Sequence, residues 1–116
     1  MARKTLVLVT RSGLGSVSEA DHAFGVEMFD KLVHTFESAS EKPWAMAFYT
    51  EGVKLAVEGS PAILGLKLLE GLGVRLLLCQ SCLQKFGLMD RVAAGTIGSM
   101  KDIVALMSEA DKVVTV

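Results

Sequence analysis

The stretch Gly73–Leu88, GVRLLLCQSCLQKFGL, decides the fold. Val74 to Leu78 is an apolar run of the length of a strand buried on both faces, as in a parallel sheet. Gly71-Leu72-Gly73 before it is a glycine-rich stop for a preceding helix. Cys79-Gln80-Ser81-Cys82 follows the run at once, and Leu83 to Leu88 reads as a short helix. Strand thus passes almost directly into helix, the signature of a βα unit.

The same alternation extends in both directions. Towards the N-terminus, Ile63, Leu64, Leu66, Leu68 and Leu69 mark a helix, with Pro61 at its first position and Ser60 as its cap. Trp44 to Thr50 is a second strand, broken by Glu51-Gly52. Phe24, Met28, Phe29, Leu32, Val33 and Phe36 form one apolar stripe of a long helix that starts near Ser18, which caps it, and stops before Pro43. Lys4 to Thr10 (KTLVLVT) is the first strand, ending in the turn-prone Arg11–Ser16. Towards the C-terminus, Val92 to Ala94 reads as a brief fourth strand. Ser99 caps a helix carrying Ile103, Val104, Leu106 and Met107, and Asp111 to Val116 closes as a fifth strand. Strands alternating with helices predict one α/β domain over residues 1–116, in three layers: a five-stranded parallel, or mostly parallel, sheet with helices on both faces.

Bulk composition fits one folded domain. The chain has 116 residues, 51% hydrophobic and 22% charged, with a formal net charge of −1. A mean hydropathy of +0.44 is high for so small a monomer and predicts contacts between copies of the chain. No basic field invites nucleic acid or an acidic membrane. No segment is long and apolar enough to span a bilayer, and Arg3-Lys4 ahead of a four-residue apolar run is not a secretory signal. The expected location is cytoplasmic. There, two cysteines three apart read as redox, sulfur or metal chemistry rather than a disulfide framework.

In an open parallel sheet, ligands sit beyond the carboxyl ends of the strands. That rule selects Arg11, Ser12 and Gly13 after strand one, and Thr50, Glu51 and Gly52 after strand two. It adds Cys79, Gln80, Ser81 and Cys82 after strand three, and Gly95 and Thr96 after strand four. At a strand-to-helix junction, unpaired backbone N–H groups and the positive end of the helix favour thiolate over thiol, which suits disulfide exchange or acceptance of a sulfane sulfur. The alternative is that both cysteines are small side chains filling a strand end. Arg11 is a candidate for holding an anionic group beside the thiols, or a plain exposed arginine. Gly52 permits a tight turn or a close backbone approach. Lys54 either lowers a neighbouring thiol's pKa or, as the commoner pattern, pairs with Glu58 on an exposed helical face.

Other chemistries fit less well. A thioredoxin-like dithiol would have a proline after the pair, but Pro43 and Pro61 both precede it. A zinc site needs three or four ligands, and His22 and His34 on the first helix are poorly spaced for one with this cysteine pair; no metal is expected. Gly13-x-Gly15-x-x-Ser18 lacks the third glycine of a dinucleotide fingerprint, and there is no Gly-Lys-Ser/Thr; no cofactor is expected. Both histidines read as surface or packing residues.

Five blocks in order carry a family resemblance: Leu8–Ser16 (LVTRSGLGS), Phe48–Ser60 (FYTEGVKLAVEGS), Gly73–Leu88, Ala94–Val104 (AGTIGSMKDIV) and Ala110–Val113 (ADKV). The second and third are the most specific. With these blocks the chain resembles DsrE-like proteins, and most closely the C-terminal DsrE-type domain of YedF-like proteins of sulfur or selenium metabolism. The resemblance implies a parallel α/β layered domain assembled as a trimer or larger ring. It also implies a cysteine that takes a persulfide sulfur and passes it on, sulfurtransferase-like; the matching position is Cys82, with Cys79 as the first cysteine of the pair. Departures are Gln80 where relatives often have Gly, and Thr50 and Ser99 where they often have Asn. The sulfur-carrier domain of YedF-like proteins has no counterpart in these 116 residues, so a separate sulfur-carrier protein is the expected partner. Two other readings stay open: a non-catalytic oligomeric binding module with structural thiols, and a dithiol redox protein.

Overall fold

The computed structural model describes residues 3–116. β1 (Thr5–Val9) leads through a loop and a 3-10 turn (Glu19–Asp21) into α1 (His22–Ser38). β2 (Ala45–Phe48) is followed by a 3-10 helix (Thr50–Ala56) and α2 (Ile63–Gly71). Then come β3 (Arg75–Cys79), α3 (Gln80–Lys85), β4 (Thr96–Gly98), α4 (Met100–Glu109) and β5 (Lys112–Thr115). The strands form one sheet in the order β4-β3-β2-β1-β5, and every pairing is parallel.

Local chemistry explains these elements. Residues Leu6–Val9, Ala45–Phe48 and Leu76–Cys79 are all buried, so the three inner strands show runs rather than alternation, as expected of strands covered on both faces. Three crossovers step in one direction from β1 to β4, and α1 and α2 pack on each other. The last crossover returns across the whole sheet to place β5 beside β1. With right-handed connections, that reversal puts α4 on the opposite face and completes the three layers. Phe29 of α1 meets Phe48 of β2 edge to face, 6.5 Å between ring centroids, while Ile103 and Leu106 are the buried residues of α4. Ser99 closes a capping box with Asp102, whose backbone N–H it receives and whose carboxylate accepts the Ser99 N–H at 2.8 Å. The Ser99 N–H and, at 3.1 Å, the Ser99 hydroxyl both donate to the Asp102 carboxylate and hold it below its ordinary value. No helix of the described residues is long and apolar enough to cross a membrane.

Several local expectations are corrected. The fourth strand is Thr96–Gly98 rather than Val92–Ala94. Val92 instead makes an isolated antiparallel bridge with Val57, and Gly95, at φ +85°, turns the chain before β4 pairs with β3. As an edge strand, β4 leaves Thr96 and Ile97 exposed and therefore lacks an apolar run. Gly95 and Thr96 consequently lie at its amino end, and Gly98 and Ser99 take the place expected of them at the carboxyl edge. Phe24 is 56% exposed, because the buried line of α1 runs through Gly25, Phe29 and Val33. Ser18 donates to the Asp21 carboxylate at 3.2 Å and makes no side-chain cap. Ser60 accepts the Ala62 N–H at 3.2 Å, but α2 starts two residues beyond Pro61. Lys54 pairs with Glu51 at 2.8 Å, not with Glu58, since the 3-10 helix brings residues three apart together.

Candidate functional site

Sheet register sets the site. Val9, Phe48 and Leu78 lie side by side at the carboxyl edge. Cys79 is the last residue of β3, fully packed at 2% exposure. It is also the N-cap of α3, which begins at Gln80, three residues earlier than expected. Cys82 therefore falls in the first turn, half-buried against the core, with Gln80 and Ser81 exposed beside it. Both thiols are free. Leu83, fully buried, anchors the turn from below.

The segment after β2 supplies the sulfur's partner. The Thr50 N–H donates to Cys82 Sγ at 3.0 Å. Thr50 stands at φ +49°, a left-handed conformation rare for a β-branched residue. Its hydroxyl lies 2.9 Å from the Thr10 carbonyl oxygen and 2.7 Å from that of Tyr49, tying this turn to the end of β1. Gly52 is buried, and a Cβ there would overlap the Val9 carbonyl. The close approach that Gly52 was expected to permit is thus made against β1.

The expected thiolate is not what the environment favours. Burial pushes the Cys82 thiol up, a hydrogen bond with the Cys79 thiol pushes it further, and the Thr50 N–H pulls against both. A six-residue α3 offers a weak macrodipole, so desolvation prevails. Lys54, bound to Glu51, has its ammonium 4.4 Å from the centre of the Phe86 ring.

Arg11, Ser12 and Gly13 are brought together with Glu51 around a cavity of about 220 Å³ beside this edge. Ser16, Val17, His22 and Gly25 complete much of its wall. Ser12 Oγ and His22 Nε2 are 3.0 Å apart. His22, set aside on sequence grounds, is the lining residue that sequence reasoning missed. Only the folding of the β1–α1 loop onto α1 brings it to Ser12: the Leu14 N–H donates to the Gly25 carbonyl at 2.9 Å, and a Cβ on Gly13 would come within 2.8 Å of the Gly25 backbone. No spacing of Ser and His in the sequence signals that contact. A wider groove of about 700 Å³ continues from Ser12, His22 and Glu51 past Lys54 to Glu58 and Pro61. Among the described residues no group of three or more His, Cys, Asp or Glu is placed to hold a metal ion.

The DsrE/DsrF-like family model matches residues 17–116. The chain belongs to the DsrE/DsrF-like family. The match includes Thr50–Gly52 and both thiols, and it begins after Arg11, Ser12 and Gly13. Among solved structures, the ychN protein from E. coli is similar over 98% of this chain and 99% of its own, at 16% identity and a TM-score of 0.66. The protein of unknown function MTH1491 from Methanobacterium thermoautotrophicum covers 97% of both chains at 16% identity and a TM-score of 0.63. BT1422 from Bacteroides thetaiotaomicron, also of unknown function, covers 97% of this chain and 95% of its own at 15% identity and a TM-score of 0.65. At such identities the likeness is one of fold. No curated protein matches.

Proposed function

We propose that this family member handles sulfur, with Cys82 as the atom that accepts it. The observation that carries the reading is the half-buried Cys82 sulfur at the carboxyl edge of a parallel sheet, receiving a backbone N–H at 3.0 Å. In the first step the Cys82 thiolate attacks the outer sulfur of a donor persulfide, R–S–SH. A new S–S bond forms, the donor's S–S bond breaks, and R–S⁻ leaves with the electron pair; Cys82 becomes Cys82–S–SH. In the second step an acceptor thiolate attacks that outer sulfur and Cys82 thiolate leaves. Cys79, the N-cap of the helix that carries Cys82, resolves or shields the persulfide. The cavity of Arg11, Ser12, Gly13 and Glu51 forms the wall against which donor or acceptor rests. The partner is a separate sulfur-carrier protein in the cytoplasm.

The test is peptide mass spectrometry after exposure to inorganic polysulfide, with thiols then blocked. A +32 Da sulfur adduct, about the mass of one sulfur atom, is expected on Cys82 and absent from Cys82→Ser. A Cys82→Ser chain that accepts and passes sulfur like the parent overturns the proposal.

A second reading, the oligomeric binding module, is favoured by an exposed apolar line along α2 and its C-cap: Leu64 and Leu68 on the helix and Leu72 just past it are 71%, 42% and 53% exposed. They recur every fourth residue, so one helical face carries them all. We propose this face as a contact between copies in a homo-oligomer of three or more chains. Light scattering on Leu64→Glu/Leu68→Glu checks it: the variant should be smaller than the parent, and an unchanged mass removes it.

A further inference from the structure

Thr50 is the one non-glycine residue with positive φ among the described residues, and it is the residue whose N–H reaches the sulfur. A β-branched residue held there is strained and persists only where its surroundings impose it. Two of those surroundings are visible. The Thr50 hydroxyl reaches the Thr10 carbonyl oxygen at 2.9 Å, and two residues on, Gly52 lies against the Val9 carbonyl, where no side chain fits. Both anchors are on the β1 end. The turn is thus fastened to the end of β1 while its N–H serves a thiol carried by α3, which follows a strand two positions away in the sheet.

We propose that Thr50 is a positioning residue for Cys82: its left-handed backbone, fixed by the hydroxyl–Thr10 contact and by the Gly52–Val9 approach, aims the N–H at the sulfur and steadies its anionic form. The proposal rests on Cys82 being the reacting sulfur. Backbone geometry, rather than a neighbouring cation, does the work. The titratable and charged groups on the elements packed around this sulfur are the Cys79 thiol and, at the opposite end of the strand, Arg75 on β3, Lys85 on α3, and Glu51 and Lys54 on the 3-10 helix. The last two pair with each other at 2.8 Å, and Lys54 is turned to Phe86.

The experiment is the rate of iodoacetamide alkylation at Cys82, read by peptide mass spectrometry from pH 6 to 11 on the full chain. Thr50→Asn and Thr50→Gly accept positive φ and should keep the parent's titration midpoint. Thr50→Val keeps the branching but loses the hydroxyl, so the turn relaxes and the N–H leaves the sulfur. Its midpoint should rise, and its rate at pH 8 should fall about tenfold, the scale of a hydrogen bond to a charged group. Thr50→Ala should shift in the same direction and serves if the valine variant does not fold. A merely structural role would lower thermal stability without moving the midpoint. Valine and alanine variants that titrate as the parent does, or an asparagine variant that shifts as valine does, overturn the proposal. Alkylation needs no sulfur donor, so failure of sulfur transfer and failure of this positioning role are read separately.

Discussion

The loop after β1 and the turn after β3 share one edge of the sheet. The β1 loop holds room and polar side chains without a thiol: its Arg11 and Ser12, with His22 from the start of α1, line a cavity of about 220 Å³. The β3 turn holds both thiols, one buried and one half-buried. Between them stands the 3-10 helix after β2, which touches both: Thr50 bonds Cys82 on one side and Thr10 on the other, while Glu51 lines the cavity. The lesson is that the thiols and the cavity are carried by different loops here, and the segment between them touches both.

The largest effect is expected of Gly52→Ala. A Cβ meets the Val9 carbonyl, a backbone group that cannot step aside. The expected cost is about 3 kcal/mol, a fall in Tm of roughly 10 °C, with the Cys82 alkylation rate altered as well. Calorimetry and the alkylation assay together check it. Gly13→Ala presses on the Gly25 backbone at 2.8 Å and should cost less, about 1–2 kcal/mol. It should leave the Cys82 titration as it is, because no bond links the two. A shifted titration in Gly13→Ala would mean that the loops are coupled more widely than through Thr50.

The pH dependence follows from the Cys82 thiol, which burial raises. The folded state then holds its proton where the unfolded chain has released it. Stability from this group is full below the ordinary thiol pKa and is lost as pH rises through that value towards the folded one. Cys82→Ser should remove this alkaline loss, as urea melts at pH 7 and pH 10 would show. At pH 7.5 the parent's Cys82 should alkylate more slowly than free cysteine. A faster rate would place the thiolate ahead of burial. The smallest effect is expected at Ser12→Ala, which loses only its 3.0 Å contact with His22. Stability should change by no more than about 0.5 kcal/mol, with the Cys82 titration unmoved.

Much of the fold was legible because buried parallel strands advertise themselves: KTLVLVT, WAMAFYT and VRLLL contain β1, β2 and most of β3. The edge strand β4 escaped, since exposure removed its apolar run while Val92, in an isolated bridge, imitated one. The thiol pair and the importance of Gly52 were legible from residue type and position after a strand. His22 was not, because its partner Ser12 lies ten residues away on a loop that folds back. The role of Thr50 was not legible either, since threonine carries no sequence signal for positive φ.

The class of chain is legible in its residues alone: alternating βα units, one parallel sheet, and thiols at its carboxyl edge. Burial on both faces dictates composition locally, strand by strand. What the Cys82 sulfur meets is set only once the chain has folded. Besides the neighbouring Cys79 thiol, the proton affinity of Cys82 depends on desolvation and on one N–H from a segment 32 residues away. Neither quantity is local in sequence, so the same four letters, CQSC, read as a ready thiolate on the page and as a thiol held above its ordinary pKa in the fold.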